Sequence, residues 1–393
     1  MNPTFLLVLV RLRWLAVCMV VLSHVRFILF ANFSQLNETT PLLTLYYFLT
    51  SYGHEGYALY MLVSGVLLGG TSYRRWHADR NASGHFKARM LWFYALLAPA
   101  LAIGAVFDMF GSRALGASGA YAHFHEFSPA FDLGAFTANF LMLQRFLAPG
   151  LGSNATLFIL AFECWAYLSL AAYVLPSRRR LATLAATSMV VAAIALEPEF
   201  AGYPMLWLLG LVLAKASDWP RPSRATACLV FVGTLHISRF GGAGLAQMPE
   251  HYVPVFRLLL DVQMGLGCGA LLMASRACGR QRSGQASLTW RLARHFPGAH
   301  VAIFATHFPF MMFIAAAANL GLGLPIAGSP SPLAFAAFVC LVIAIYVYGF
   351  AFSRLAFFIS QRLRGRPAGR VRVAARRSPS KALGASVTSR ERL

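Results

Sequence analysis

The sequence predicts an all-α polytopic membrane protein, about ten transmembrane helices in a single bundle. Composition, long apolar runs and the placement of basic residues predict it. Of 393 residues, 58% are hydrophobic and 12% charged, with a mean hydropathy of +0.60. A soluble domain carries roughly 25% charged and about 45–50% apolar residues, so an ordinary soluble enzyme is excluded. The 34 Lys and Arg against 13 Asp and Glu give a formal net charge of +21. In a soluble chain that balance suggests nucleic acid; here its placement gives it another meaning.

Apolar runs between polar, Gly- or Pro-bearing joints predict helices at 14–33, 52–72, 90–111, 157–175, 181–196, 202–216, 225–240, 253–277, 299–322 and 333–359. Most approach the roughly 17–25 residues that cross a bilayer. The apolar segment 131–151 is broken by Asp132, Arg145, Pro149 and Gly150, and reads as interfacial or re-entrant. With the N-terminus in the cytoplasm, the inward joints hold Arg11 and Arg13, then Arg74, Arg75, Arg80, Lys87 and Arg89. Arg178–Arg180, then Lys215, Arg221 and Arg224, then Arg276, Arg280, Arg282, Arg291 and Arg294 follow. With ten more from Arg362 onward, these joints account for 28 of the 34 basic residues. The outward joints 32–51, 197–202, 241–252 and 323–332 contain no Lys or Arg. This asymmetry predicts that both termini are cytoplasmic, and it reads the charge as topology rather than nucleic-acid binding.

The chain divides into a membrane-embedded domain, 1–361, and a basic tail, 362–393, rich in Arg, Ser, Gly and Ala without apolar period. The tail is expected to be disordered and held near anionic lipid. No small-residue cleavage site follows the first apolar run, which is expected to stay as an anchor. Six scattered cysteines show no CxxC or ligand spacing, so neither a disulfide framework nor a zinc site is expected. His123-x-His125-Glu126 has metal-type residues in an outer joint, where polar triplets gather freely, and no metal is expected.

Ionisable side chains inside a span are functional candidates, because burying them in a bilayer is costly. Arg13 and His24 share the first helix. Eleven residues return to within about 20° of one face at a rise of roughly 16 Å. Arg13 is therefore expected at the cytoplasmic edge and His24 on the same face near mid-membrane. Glu163 lies about six residues into a helix entered from outside, and His307 about eight into one entered from inside, so their depths overlap that of His24. Asp261 has Arg257 at i−4, which predicts a structural ion pair. His24, Glu163 and His307 in one layer suit a buried general-base site, an imidazole taking a proton and a carboxylate orienting it. The same residues suit a proton-coupled transporter, and residue chemistry leaves both open.

Several motifs resemble those of the integral-membrane acyltransferase-3 family, bacterial O-acyltransferases of surface or exported saccharides with some eukaryotic relatives. The family's first helix reads Arg-Gly-Leu-Ala with a His eleven positions after the Arg. Here Arg13-Trp14-Leu15-Ala16 leads to Ser23-His24, with Trp14 replacing Gly. The second motif, Gly-x-x-Gly-Val-x-x-Phe-Phe-Val-Leu-Ser-Gly-Phe-Leu-Ile, is similar to the run from Gly53-x-x-Gly56-Tyr57 through Tyr60 to Val63-Ser64-Gly65-Val66-Leu67-Leu68. The third, Phe-x-x-Arg-x-x-Arg-Ile-x-Pro, keeps Phe86 and Arg89 but has Trp92, Phe93 and Ala95 further on. The fourth keeps Leu160, Glu163 and Tyr167 but has Phe158 and Ile159 for Trp-Ser, and the last reads Phe304-Ala305-x-His307-x-Pro309. The likeness runs from Arg13 to about Arg364.

The resemblance implies a bacterial inner-membrane enzyme that uses acyl-CoA, acetyl-CoA in particular, as donor substrate, with no permanently bound cofactor. Its partners would be the bilayer and a glycan or glycolipid acceptor, not nucleic acid. It implies His24 as general base or transient acyl carrier. Glu163 would orient or charge-balance an imidazole, His307 would complete the catalytic group, and Arg13 and Arg89 would meet the donor's phosphates. The rival is a proton-coupled transporter of a saccharide or lipid-linked intermediate. Transporters commonly carry inverted repeats, and no internal repeat is visible. Trp92, Ala95 and Phe158 also leave open a family member without catalysis.

Overall fold

The computed structural model describes residues 3–78, 82–174, 187–188, 191, 198–216, 219, 221–276, 295–296 and 298–364. Every regular element among them is helical, and the only strand-like pairings are isolated bridges such as Phe30 with Gly328. In chain order the helices are α1 (Pro3–Leu29), α2 (Pro41–Leu49), α3 (Gly53–Ser64), α4 (Gly70–Ala78) and α5 (Ala82–Ala114). Next come α6 (Ala120–His123), α7 (Leu133–Phe140), α8 (Phe158–Val174) and α9 (Gly202–Lys215). The last four are α10 (Arg224–Gly244), α11 (Val253–Arg276), α12 (Ala299–Leu322) and α13 (Pro332–Leu363).

Six helices are long and apolar enough to cross a membrane: Phe5–Leu29, Ser83–Ala114, Arg224–Gln247, Glu250–Arg276, Ala299–Leu322 and Pro332–Leu363. The chain is a multi-pass membrane protein. Two shorter apolar helices, Phe158–Val174 and Gly202–Lys215, fall on expected spans. The expected span 181–196 and the tail from 365 lie outside the described residues, and α13 continues past the expected domain boundary at 361.

Three sequence expectations are corrected. The first span begins nearer the N-terminus than 14, because Arg13 is buried among polar partners and stands about 15 Å along α1 from Pro3. The joint 32–51 contains α2, whose N-cap Thr40 accepts from the Leu43 amide at 3.2 Å with Pro41 at its first position. The span at 52–72 is two α-helices, α3 and α4, joined by a π-turn at Gly65–Gly69. The interruption in 131–151 follows α7, where Met142 and Arg145 adopt positive φ. Buried Asn139 closes that irregular stretch by donating to Ala135 O and Pro149 O and accepting from the Leu151 amide. Non-helical backbone inside a helical bundle is tolerated where protein groups satisfy it.

The bundle centres on α12, 72% buried over its most apolar stretch against 17% for α10. α1 packs on α3 and α12, α9 packs on α3 and the π-turn, and α5 and α13 lie against α12. The approach of α9 to α3 and the π-turn needs glycine on both sides: a Cβ at Gly65 would meet the Trp207 carbonyl, and one at Gly210 would meet that of Leu62. Several basic joints meet at one end. Arg74 donates to Ala214 O, Arg276 to Leu213 O and Ala216 O, and Arg364 to Ala88 O. In the first two, guanidinium groups satisfy carbonyls left open at the C-terminus of α9.

Candidate functional site

α1, α3, α8 and α12 bring Arg13, His24, Glu163 and His307 into two adjoining polar clusters separated by aromatic rings. In one, His24 Nδ1 lies 2.9 Å from His307 Nε2, with the rings stacked at 5.2 Å and 8°. His307 Nδ1 stands 3.0 Å from Ile303 O and 3.1 Å from Phe304 O. A carbonyl only accepts, so Nδ1 of His307 carries the proton and its Nε2 is bare. His24 must then donate from Nδ1, which leaves its own Nε2 as the basic lone pair, accepting from the Tyr57 hydroxyl at 3.2 Å. His307 is fully buried, whereas His24 is half-buried and reachable. His24 can exchange protons with a substrate, and His307 fixes its tautomer and orientation.

The second cluster forms around Arg13. Its Nη2 donates to Ser64 Oγ at 2.6 Å and lies 3.4 Å from Glu163 Oε1, while Nη1 meets His300 Nε2 at 2.9 Å. Tyr60 donates to Glu163 Oε2 at 3.3 Å, and its ring lies 5.2 Å below the guanidinium. Tyr60 also stacks on Phe304 at 4.7 Å, so these rings separate the clusters. Glu163 therefore neutralises Arg13 instead of orienting an imidazole; the backbone of α12 and the His24–His307 bond do that work. The azimuth of α8 turns the carboxylate toward Arg13, which depth along the chain does not reveal.

Arg89 lies 5.0 Å over the Trp92 ring, and with Arg13, Arg75, His85, Trp76 and Tyr167 it lines a cavity of about 300 Å³. A phosphate-bearing ligand suits such a lining, since guanidinium groups match its oxygens in a fork. Within it Arg13 is ion-paired with Glu163, whereas Arg75 and Arg89 form no ion pair among the described residues.

Asp261 does not bond Arg257. Its Oδ1 lies 2.7 Å from His54 Nε2, and Tyr203 Oη lies 3.0 Å from His54 Nδ1, tying α3, α9 and α11 together. Glu126 pairs with Arg145 at 2.5 Å, His123 packs against the Phe27 ring, and no group of three metal-type residues stands close enough to hold an ion among the described residues.

Sequence reasoning missed His300 and the tyrosines. His300 stands seven residues before His307, two turns along the same face of α12, and that spacing could have found it. Tyr57 and Tyr60 stand in the second motif, where their aromatic bulk disguises their hydroxyl chemistry. No family model, curated protein or solved structure matches the chain.

Proposed function

We propose that this protein is a membrane-bound O-acyltransferase that moves an acyl group, acetyl first of all, from acyl-CoA to a hydroxyl of a surface or exported glycan. The observation that carries this reading is the hydrogen-bonded His24–His307 pair, which presents a basic Nε2 at a partly exposed His24. The motif resemblance supports the reaction type. The arginine-lined cavity supports a donor with phosphate groups, and the gathering of basic joints at one end supports cytoplasmic termini. On this reading the remaining apolar segments complete ten spans in a bacterial inner membrane.

The chemistry balances without a resident cofactor. The acceptor hydroxyl gives its proton to His24 Nε2 as its oxygen bonds to the thioester carbonyl carbon. As Nε2 takes that proton it no longer accepts from Tyr57, whose hydroxyl is released to donate to the developing oxyanion. The carbon–sulfur bond then breaks, and the His24 imidazolium returns the proton to the departing thiolate. Arg75 and Arg89 hold the donor's phosphates, and Arg13, already paired with Glu163, shapes the floor of the cavity.

The test is full-length protein in proteoliposomes with labelled acetyl-CoA and candidate glycans, beside His24→Ala. Label transfer that falls by about 10²–10⁴-fold in a correctly inserted variant supports the assignment. Transfer undiminished by the substitution removes His24 from the mechanism. Uptake of labelled saccharide without acyl transfer makes the protein a proton-coupled transporter instead.

A further inference from the structure

At the end of the bundle opposite the basic joints, Arg26 in the last turn of α1 and Arg239 in α10 have no carboxylate within ion-pair distance among the described residues. The Arg26 guanidinium lies 5.3 Å over the Tyr47 ring, and its buried Nε has no hydrogen-bond partner. Arg239 Nε donates to Ser51 Oγ at 2.5 Å, one turn past the Tyr47 ring that Arg26 covers. The hydroxyls of Tyr46, whose ring lies 5.6 Å from that of Tyr47, and of Tyr52, next in the chain to Ser51, are both buried without partners among the described residues. Tyr47 is already occupied, donating to Ala31 O at 2.8 Å. Glu55 accepts from Ser238 Oγ at 3.2 Å. Two cations and two unsatisfied hydroxyls therefore converge from α1, α2, the turn before α3, and α10. Buried donors of this kind are costly unless something accepts from them.

We propose that Arg26 and Arg239, with the hydroxyls of Tyr46 and Tyr52, form a binding site for a phosphoryl anion. Two guanidinium forks suit its oxygens, and two phenol O–H groups supply further donors. The site is distinct from the one around His24, because Arg26 follows His24 by two residues and so points about 200° around α1. It lies at the end of a membrane-length helix, where headgroups lie. A phospholipid headgroup and a soluble phosphate monoester carry the same group, and the test separates them.

The full-length protein in neutral detergent is titrated with dioleoyl phosphatidic acid, with dioleoylglycerol (the same tails without the phosphoryl group) and with glycerol 3-phosphate. Native mass spectrometry counts what stays bound. The expected result is phosphatidic acid binding that weakens about tenfold or more in Arg26→Gln/Arg239→Gln, and about threefold in Tyr46→Phe/Tyr52→Phe. Arg113→Gln, at an exposed arginine outside the cluster, should match the unmodified chain. Phosphatidic acid bound far more tightly than glycerol 3-phosphate assigns the site to lipid, and comparable binding assigns it to a soluble ester. Dioleoylglycerol bound as tightly as phosphatidic acid, or neither phosphoryl probe bound, overturns the proposal. If the arginine variants elute as aggregates, the phenylalanine pair decides, and unchanged affinity there also overturns it.

Discussion

Arg13 and Glu163 stand 150 positions apart in the chain and meet inside the bundle at 3.4 Å, their side chains only 8% and 5% exposed. Ser64, His300 and Tyr60 add further hydrogen bonds, while the buried Nε of Arg13 has no partner among the described residues. A buried ion pair is weak evidence for stability, because desolvating both charges offsets much of their attraction. Removing one partner is different, since the other charge then stays in the apolar interior alone.

Glu163→Ala is accordingly expected to destabilise the protein by about 3–5 kcal/mol, and Arg13→Met combined with Glu163→Met to recover most of that loss. Thermal unfolding in detergent measures both. A single alanine variant as stable as the unmodified chain would show that the charge is not sequestered.

Where α9 meets α3 and the π-turn, Gly65→Ala and Gly210→Ala each push a methyl group into a backbone carbonyl of the opposing segment. Overpacking of this kind costs about 1–3 kcal/mol, so lower melting temperatures and poorer monodispersity are expected from both. Gly233→Ala in α10 meets open space and should gain about 0.5–1 kcal/mol from helix propensity. Equal effects at all three positions would contradict the close approach.

Replacing the orienting histidine separates position from chemistry. His307→Gln can still accept from His24 Nδ1 through its side-chain oxygen and should keep transfer within about tenfold, whereas His307→Ala should lose about a hundredfold. On the proposed function the loss should appear in kcat with KM for the donor unchanged, because His307 does not line the arginine-lined cavity. A change confined to KM would place His307 in substrate binding.

Asn139 is fully buried and holds the stretch after α7 through bonds at 2.9, 3.1 and 3.1 Å to Ala135, Pro149 and Leu151. Asn139→Ala strands those backbone groups, at about 1–3 kcal/mol. Asn139→Asp sets a carboxylate against two carbonyl oxygens and should cost more. Protease cleavage between 141 and 149 should accelerate in both variants, fastest in the aspartate one.

What the sequence could and could not convey follows from geometry. Depth is a one-dimensional quantity, set by a rise of about 1.5 Å per residue, and the run 299–322 coincides with α12 residue for residue. The same arithmetic brought His24 and His307 to one layer, and they touch. Azimuth depends on how neighbouring helices pack, and no spacing within one helix contains it. Glu163 therefore turned toward Arg13 rather than toward an imidazole, and Asp261 bonded across the bundle to His54 rather than along α11 to Arg257. The π-turn escaped notice because Gly65–Gly69 differs from an ordinary apolar helix only in which carbonyl each amide selects. α2 was legible in principle, since Thr40-Pro41 is a strong start signal, but its nine residues are too short to cross a bilayer and so do not register as a span.

α1 and α12 are joined by two rungs, Arg13 to His300 and His24 to His307. The rungs are eleven residues apart on one helix and seven on the other, about 16 Å against about 10 Å of rise, so they work as a vernier that reads true at a single setting. A slip of α12 by one turn, about 5.4 Å, would break both rungs together, and no intermediate setting restores either. Any motion that opens a path to His24 is thus denied to sliding between these two helices. It falls to a swing of one away from the other, or to the helices around them.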